Sequence, residues 1–473
     1  METVVMTIIH NRLSTDLITD YSRRTEEPEW LLNMRLNALE IYKKLPIEMS
    51  PLYKKQTLVN EIEVDNAILF NDSSVQKIIN DPIGNIQNLI VNIDSETVEI
   101  KLAKELKDIG VFFADLNTLL NKHYELAKKY LKNRILKPEE DKYSALNHAL
   151  FNNLLFIYIP PGIEILTPLR NINYLTGTTG VFTQTIIVVS ENSKATFIEE
   201  IYPLHTSSTQ QFIHSNITEV YIDRGSELTY ISIENQNKNS LSFLNRKASI
   251  GEQSALNWVS GHFGGSLTRS RFDADLNGQG ANIEDIEVSL STGNQRFDIT
   301  ANLNHRSPVT IAHAIIKSVV KDQSRSISKG VIKIERNAKN SSAYLAEHAM
   351  IMNDARANTI PALEIENNEV KATHSAYITQ VDEEQLFYLM SRGFDRNNAI
   401  KMVALGFFEP AIDRIPIPTL RIALRHIIDK KWSGIEYEKL IGKEKIFEEL
   451  LIEESTEEIT KKHDIFEGHY KYR

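Results

Sequence analysis

From Phe156 to about Ile378 the chain is a succession of short β-rich runs, and this long stretch limits the folds open to it. The runs include TQTIIVVS, ATFIEEIY, ELTYISIE, ALNWVSGHF, IEVSLST, GVIKIER and ALEIEN, each bounded by Gly, Asn, Asp or Ser. Branched and aromatic residues grouped between turn formers read as strands. No run of helical period longer than about two turns interrupts them, which argues against alternating strands and crossover helices. Turn glycines recur at Gly225, Gly251 and Gly278, intervals of 26 and 27 residues, and Asn304–His305 falls near the next expected place. GSEL, GEQSAL and GQGAN share an order of glycine, small residue, then strand. Such a period predicts the coils of a β-solenoid, in which each coil stacks on the last to bury a continuous core. An ordinary β-sandwich with evenly spaced hairpins would give the same spacing.

Both flanks read as helical. Pro28–Lys44 places Trp30, Leu31, Met34, Leu39 and Tyr42 at mostly helical spacing, with Pro46 as a stop. A second helical tract is predicted over Glu99–Leu136, with Leu116, Leu119, Leu120, Ala127 and Leu131 as its stripe, and Tyr143–Asn152 continues it. After the β region, Asp382-Glu-Glu-Gln385 has the form of an Asp-led capping box. Leu386, Phe387, Leu389 and Met390 make the expected buried face before Gly393. Asp395 opens a second helix, a break is expected at Phe407-Phe408, and a third helix covers Thr419–Lys431. The tail from Gly434 is charge-rich, with a helix expected over Lys445–Lys461.

Composition excludes several kinds of chemistry. The chain of 473 residues contains no cysteine. Disulfides, thiolate zinc sites, cysteine nucleophiles and self-sufficient thiolate-ligated iron–sulfur clusters are therefore ruled out. A net charge of −10 opposes broad nucleic-acid binding. The N-terminus lacks the basic and apolar regions of a secretory signal, and the longest apolar run, Leu154–Ile159, is cut short by Pro160-Pro161. A soluble cytoplasmic protein that does not engage membranes is expected.

Few residues offer a conventional active site. There is no GxxxxGK[ST] phosphate loop, and Gly278-Gln-Gly280 leads into a β run and reads as a turn. Histidines are the available nitrogen ligands: His262, His305, His313, His348 and His374. On stacked coils, distant members could align into a mixed His/Glu metal site. Each could equally be a hydrogen-bonded histidine at a strand end. The pairs Glu199/Glu200 and Glu284/Asp285 could supply acid and base to a carbohydrate-active solenoid enzyme, but neighbours on a strand point to opposite faces. His374 is placed at a strand end just before a helix opens.

The residues from Asn304 to Pro416 resemble the core domain shared by SufB and SufD, scaffold subunits of the Suf iron–sulfur cluster assembly system. The matching features are EPEWLLNMRLNALEIY near the N-terminus, then HRSPVT, Ser328–Lys333 and Ala355–Pro361. PALEIENNEVKATHSA, DEEQLFYLMSRGF and AIKMVALGFF follow in the same order. SufB-like proteins typically carry a cysteine where this chain has Ala355, and an acidic residue after the histidine matching His374, where this chain has Ser375. Both departures remove cluster ligands, so the chain resembles SufD. Many SufD sequences carry a cysteine at the position of Ala372, so a thiol role is absent here.

The resemblance implies a mainly β fold with flanking helices: a right-handed parallel β-helix over residues 156–380, between helical domains at 1–155 and 381–473. It implies a non-enzymatic scaffold that pairs with a SufB-like subunit and docks a SufC-like ATPase on its C-terminal helices. Phe407 or Phe408 is the expected anchor there, with Arg421 and Arg425 as further docking residues. His374 would be a metal ligand for iron or a cluster held transiently at the partner interface, and no cofactor is held stably by this chain alone. A homodimer in isolation, or one standing in for both subunits, is the variant of this reading.

Overall fold

The computed structural model describes residues 13–46, 87–177, 180–204 and 211–434. Its centre is the parallel β-solenoid that the glycine period and the family resemblance predict, with about eight turns. Successive strands alternate between two sheets, so each turn gives one strand to each. One sheet ends on Lys371–Gln380 and the other on Arg356–Ile365. Ala255 lies beside Asn282 and Ile311 beside Ser342, so a turn takes 27 residues at the first place and 31 at the second. The glycine spacing catches the short end of that range.

The small residue after each turn has a physical role. Ser226 donates its hydroxyl to the Ser190 carbonyl and Ser254 donates to that of Asp223, each at 2.6 Å, tying one turn to the one before. A Cβ on Gly278 would stand 2.0 Å from the Glu252 nitrogen and 2.2 Å from the Gly251 carbonyl carbon. The corners therefore stack this closely only with glycine at that place.

Two N-terminal helices, Thr15–Arg24 and Glu29–Lys44, pack with Lys142–Leu150 over the outer face of one sheet through Leu39, Tyr42, Leu146, Phe182 and Phe243. Arg35 pins this layer: it binds Glu27 in bidentate fashion at 2.8 and 2.6 Å and donates to the Phe151 carbonyl at 2.7 Å. The single helical tract expected over Glu99–Leu136 does not form. Strands Glu96–Lys101 and Phe112–Ala114 lie there instead, followed by short helices at Leu116–Lys122 and Tyr124–Lys132. Gly110 at φ +89° and Asp115, which caps through the Thr118 amide, interrupt the helix. The apolar stripe itself is real, since Leu119, Ala127 and Leu131 are buried.

Helices Glu383–Ser391, Arg396–Ile412 and Pro418–Trp432 follow the last strand. Asp382 and Asp395 cap the first two as the sequence predicts. The break expected at Phe407-Phe408 is absent, because Phe408, Ala411 and Ile412 bury against Val259, Ile286 and Ile315 on the other sheet's outer face. The helix read over Lys445–Lys461 lies outside the described residues. Among the described residues no helix is long and apolar enough to cross a membrane.

Inside the solenoid, successive inward positions along each strand build two lanes. One is apolar: Tyr230 and Trp258 stack at 3.9 Å, and Trp258 and Phe272 at 4.1 Å. The other is polar, and register sets Glu199, Ser232, Ser260 and Glu287 in one column with Glu234 and His262 in the next. His262 lies between two carboxylates, with Nδ1 2.9 Å from Glu234 and Nε2 2.5 Å from Glu287, and Arg246 closes the group on Glu234. Burial alone would lower the His262 pKa, but Glu234 and Glu287 override it and raise it to about 9. Burial would likewise raise Glu234, yet Arg246 and His262 hold it down at about 2.

Two outcomes follow for stability. Trp258→Ala opens a cavity in the apolar lane and should cost about 3–5 kcal/mol in chemical denaturation; a loss below about 1 kcal/mol would contradict the stacking. His262, with a folded pKa above its ordinary 6.5, contributes stability that is complete below pH 6.5 and lost as pH rises through 9. Against His262→Gln, the unsubstituted protein should lose stability over that window at up to about 1.4 kcal/mol per pH unit more steeply. Parallel profiles would show that the imidazole is not charged in the fold.

Candidate functional site at the open end of the solenoid

The two ends of the solenoid differ. At the first turn, the antiparallel Glu96–Lys101 and Phe112–Ala114 strands complete the sheets. At the last turn, Lys371–Gln380 and Arg356–Ile365 each have a strand neighbour on one side only among the described residues. Ile360, Tyr377 and Ile378 are exposed there. An unpaired edge with apolar side chains is a template for another chain.

His374 sits in the middle of Lys371–Gln380, not at the strand end, and the helix opens only after Asp382. Its register partner is Leu345, whose side chain belongs to the interior apolar core. Aligned residues on parallel strands share a face, so His374 continues the inward side of the solenoid where the stack stops. The imidazole is exposed and has no hydrogen bond or ion pair with any described residue.

One turn below, Glu347 lies on the same inward face, diagonal to His374 at a spacing of about 7–8 Å between such positions. Its Oε2 accepts the Ile360 amide at 2.8 Å, while Oε1 is buried without a partner. Burial pushes this carboxyl up to about 7. A Cβ on Gly330 would come within 2.9 Å of Oε1 and of both Leu345 methyls, so glycine there makes the room for Glu347. Sequence reading missed Glu347, whose signal is register rather than local spacing.

On the outer face, Lys317, His348 and Tyr377 stack in register beside the C-terminal helices. His348 Nε2 is 3.1 Å from Ser375 Oγ, and its ring stacks on Tyr377 at 4.0 Å. Burial, assisted by Lys317, pushes the imidazole down to about 4, so it stays neutral. Lys317 in turn donates to the Phe407 carbonyl at 2.9 Å.

The remaining candidates are dispersed. His305 is buried on Thr310 at 2.7 Å, His313 pairs with Glu284 at 3.1 Å, and His262 is clamped inside. Among the described residues no group of three or more His, Asp or Glu is placed to hold a metal ion. Glu199 faces inward onto the Tyr230 hydroxyl at 2.6 Å, whereas Glu200 pairs with Arg170. Glu284 is held by His313 and Arg414, and Asp285 is fully buried. Neither acid pair converges on a groove.

The docking candidates need correction. Phe408 is 1% exposed in the core and cannot anchor a partner without leaving it. Phe407 is half-buried under Lys317. Arg421 donates to the Ile415 carbonyl at 2.7 Å, and Arg425 binds Glu409 at 2.5 Å and Asp413 at 2.9 Å, so both serve the helical layer. Phe387 and Met390, expected in a buried face, are instead exposed. Only Leu386 is buried, while Phe387 is 75% exposed beside Tyr388 and Phe394.

Residues 172–407 match the SUF system FeS cluster assembly, SufBD core domain, and residues 26–170 match the SufBD protein N-terminal region. An iron–sulfur cluster assembly SufBD family protein of Staphylococcus saprophyticus is 27% identical over 425 residues, 86% of this chain and 90% of the relative. A relative of the same description from Staphylococcus haemolyticus gives the same figures, and one from Staphylococcus epidermidis is 26% identical over the same shares. The two adjoining domain matches, laid over a solenoid with helices at both ends, place this chain in the SufB/SufD family of iron–sulfur cluster assembly proteins.

Proposed function

We propose that this chain is the SufD-like half of a two-subunit scaffold, joined through its open last turn to a SufB-like partner. The observation that carries the reading is that turn: two unpaired strand edges, exposed Ile360, Tyr377 and Ile378, and an uncommitted His374. The absence of any cysteine, with Ala355 and Ser375 where SufB-like proteins carry a cysteine and an acidic residue, supports SufD over SufB. Iron and sulfide are then substrates assembled at the joint. His374 supplies one imidazole nitrogen, and thiolates come from the partner, since one histidine cannot hold iron alone.

A SufC-like ATPase docks on the C-terminal helices in this reading. The exposed Phe387, Tyr388 and Phe394 replace Phe408 as its aromatic anchors, because interface hot spots are aromatic side chains that become buried on binding. Lys317, through the Phe407 carbonyl, and Tyr377, edge-on to the Phe407 ring and stacked on His348, tie those helices to the last turns, which gives a mechanical route between the ATPase surface and the joint.

His374→Ala should fold, co-purify with its partners and yield less cluster when the purified complex is loaded with iron and sulfide. Absorbance of the cluster and maturation of iron–sulfur enzymes in cells are the readouts. Unchanged values in both would remove His374 from the site. The double substitution Phe387→Asp and Tyr388→Asp should abolish ATPase co-purification without lowering the melting temperature, since both side chains are exposed. Retained co-purification would contradict the docking surface.

A further inference from the structure

One corner of the solenoid collects positive charge. A cleft of about 520 Å³ lies between the turns at Asn235–Asn239, Phe263–Ser266 and Thr292–Gln295 and the last turn of the Pro418–Trp432 helix. Among the described residues its lining includes Lys238, Lys430 and Lys431 and no Asp or Glu, on a chain whose net charge is −10. A second cavity of about 500 Å³ shares Ser266 and Asn294 with it and is lined by Arg296, Arg325 and Arg356, with Asp354 as its one carboxylate.

The arginines form a ladder. Arg296 lies beside Arg325 and Arg325 beside Arg356, each opening its strand. Strands are about 4.8 Å apart, and like charges directly opposite destabilise a sheet. Among the described residues Arg325 and Arg356 have no carboxylate partner. In the adjoining cleft, Gln236 is only 4% exposed, yet both polar atoms of its side-chain amide lack a partner. A buried unpaired amide is costly unless a ligand or water satisfies it. The Lys431 amine donates only to neutral acceptors, the Phe263 carbonyl and Gln295 Oε1, and burial holds its pKa well below the ordinary range.

We propose that these two joined cavities bind a small polyanion, a molecule bearing several phosphate or carboxylate oxygens, with Gln236 and Lys431 at one end and the Arg296–Arg325–Arg356 ladder at the other. The anion neutralises the ladder, gives the Gln236 amide an acceptor and favours the charged form of Lys431. Gln236 and Arg296 lie on inner turns, while Arg356 opens the Arg356–Ile365 strand of the last turn, so one end of the site borders the edge assigned to the partner; the proposal does not rest on that assignment.

The test is calorimetric titration of the full chain with inorganic phosphate, tripolyphosphate and citrate at physiological salt. Saturable one-site binding of tripolyphosphate or citrate, tighter than phosphate, is expected; whichever binds better identifies the phosphate or carboxylate source. Arg325→Gln and Gln236→Leu should each weaken it by about tenfold or more. Arg325→Gln should also leave the unliganded melting temperature unchanged or higher, since it relieves repulsion. No saturable heat with any probe, or binding indifferent to both substitutions, would overturn the proposal.

Discussion

In-register stacking of parallel strands decides what every residue in this chain meets. Once Glu234 and His262 share a column and Glu287 stands next to it, their charges have to balance inside a low-dielectric core. They do so by direct contact, with Arg246 and His262 on the acids. The same register stacks Trp258 on Tyr230 and sets three arginines in one line. A shift of one residue would turn the polar lane outward and the outer apolar face inward, so the interior chemistry also specifies the pairing.

A stack of this kind also has to end. The first turn is completed by antiparallel strands, while among the described residues the last leaves its strand edges unpaired and His374 exposed. Glu347, just beneath, is buried on one oxygen and satisfied on the other by the Ile360 amide, so the polar lane runs close to the open surface. The C-terminal helices cover the neighbouring outer face through Phe408 and Leu424 and leave Phe387 and Tyr388 free. The open edge and the helical layer are thus adjacent and joined at Phe407 by Lys317 and Tyr377.

Much of the fold was legible because its signals are local. The β runs, the glycine and small-residue corners, and the Asp382 and Asp395 caps each act within a few residues, and all recur in the structure. The helical tract over Glu99–Leu136 misread a real apolar stripe, because burial of Leu119 and Leu131 does not need one continuous helix. Phe408, expected as an exposed anchor, is buried and Phe387, expected in a buried face, is exposed, for a related reason. Their sequence period gives an apolar face, but which part of it meets the sheet depends on where the helix lands. Glu347 and the arginine ladder were not visible at all, since their neighbours are 27 to 31 residues away and the interval varies from turn to turn.

The central claim is that the last turn is an unfinished edge which another subunit completes. Amide hydrogen exchange over Arg356–Ile365 and Lys371–Gln380 measures this directly, in the isolated chain and in the complex purified from the native cell. Faster exchange than in the inner strands, followed by strong protection of both segments in the complex, is the predicted result. Equal protection in the two states, or protection confined to the C-terminal helices, would contradict it.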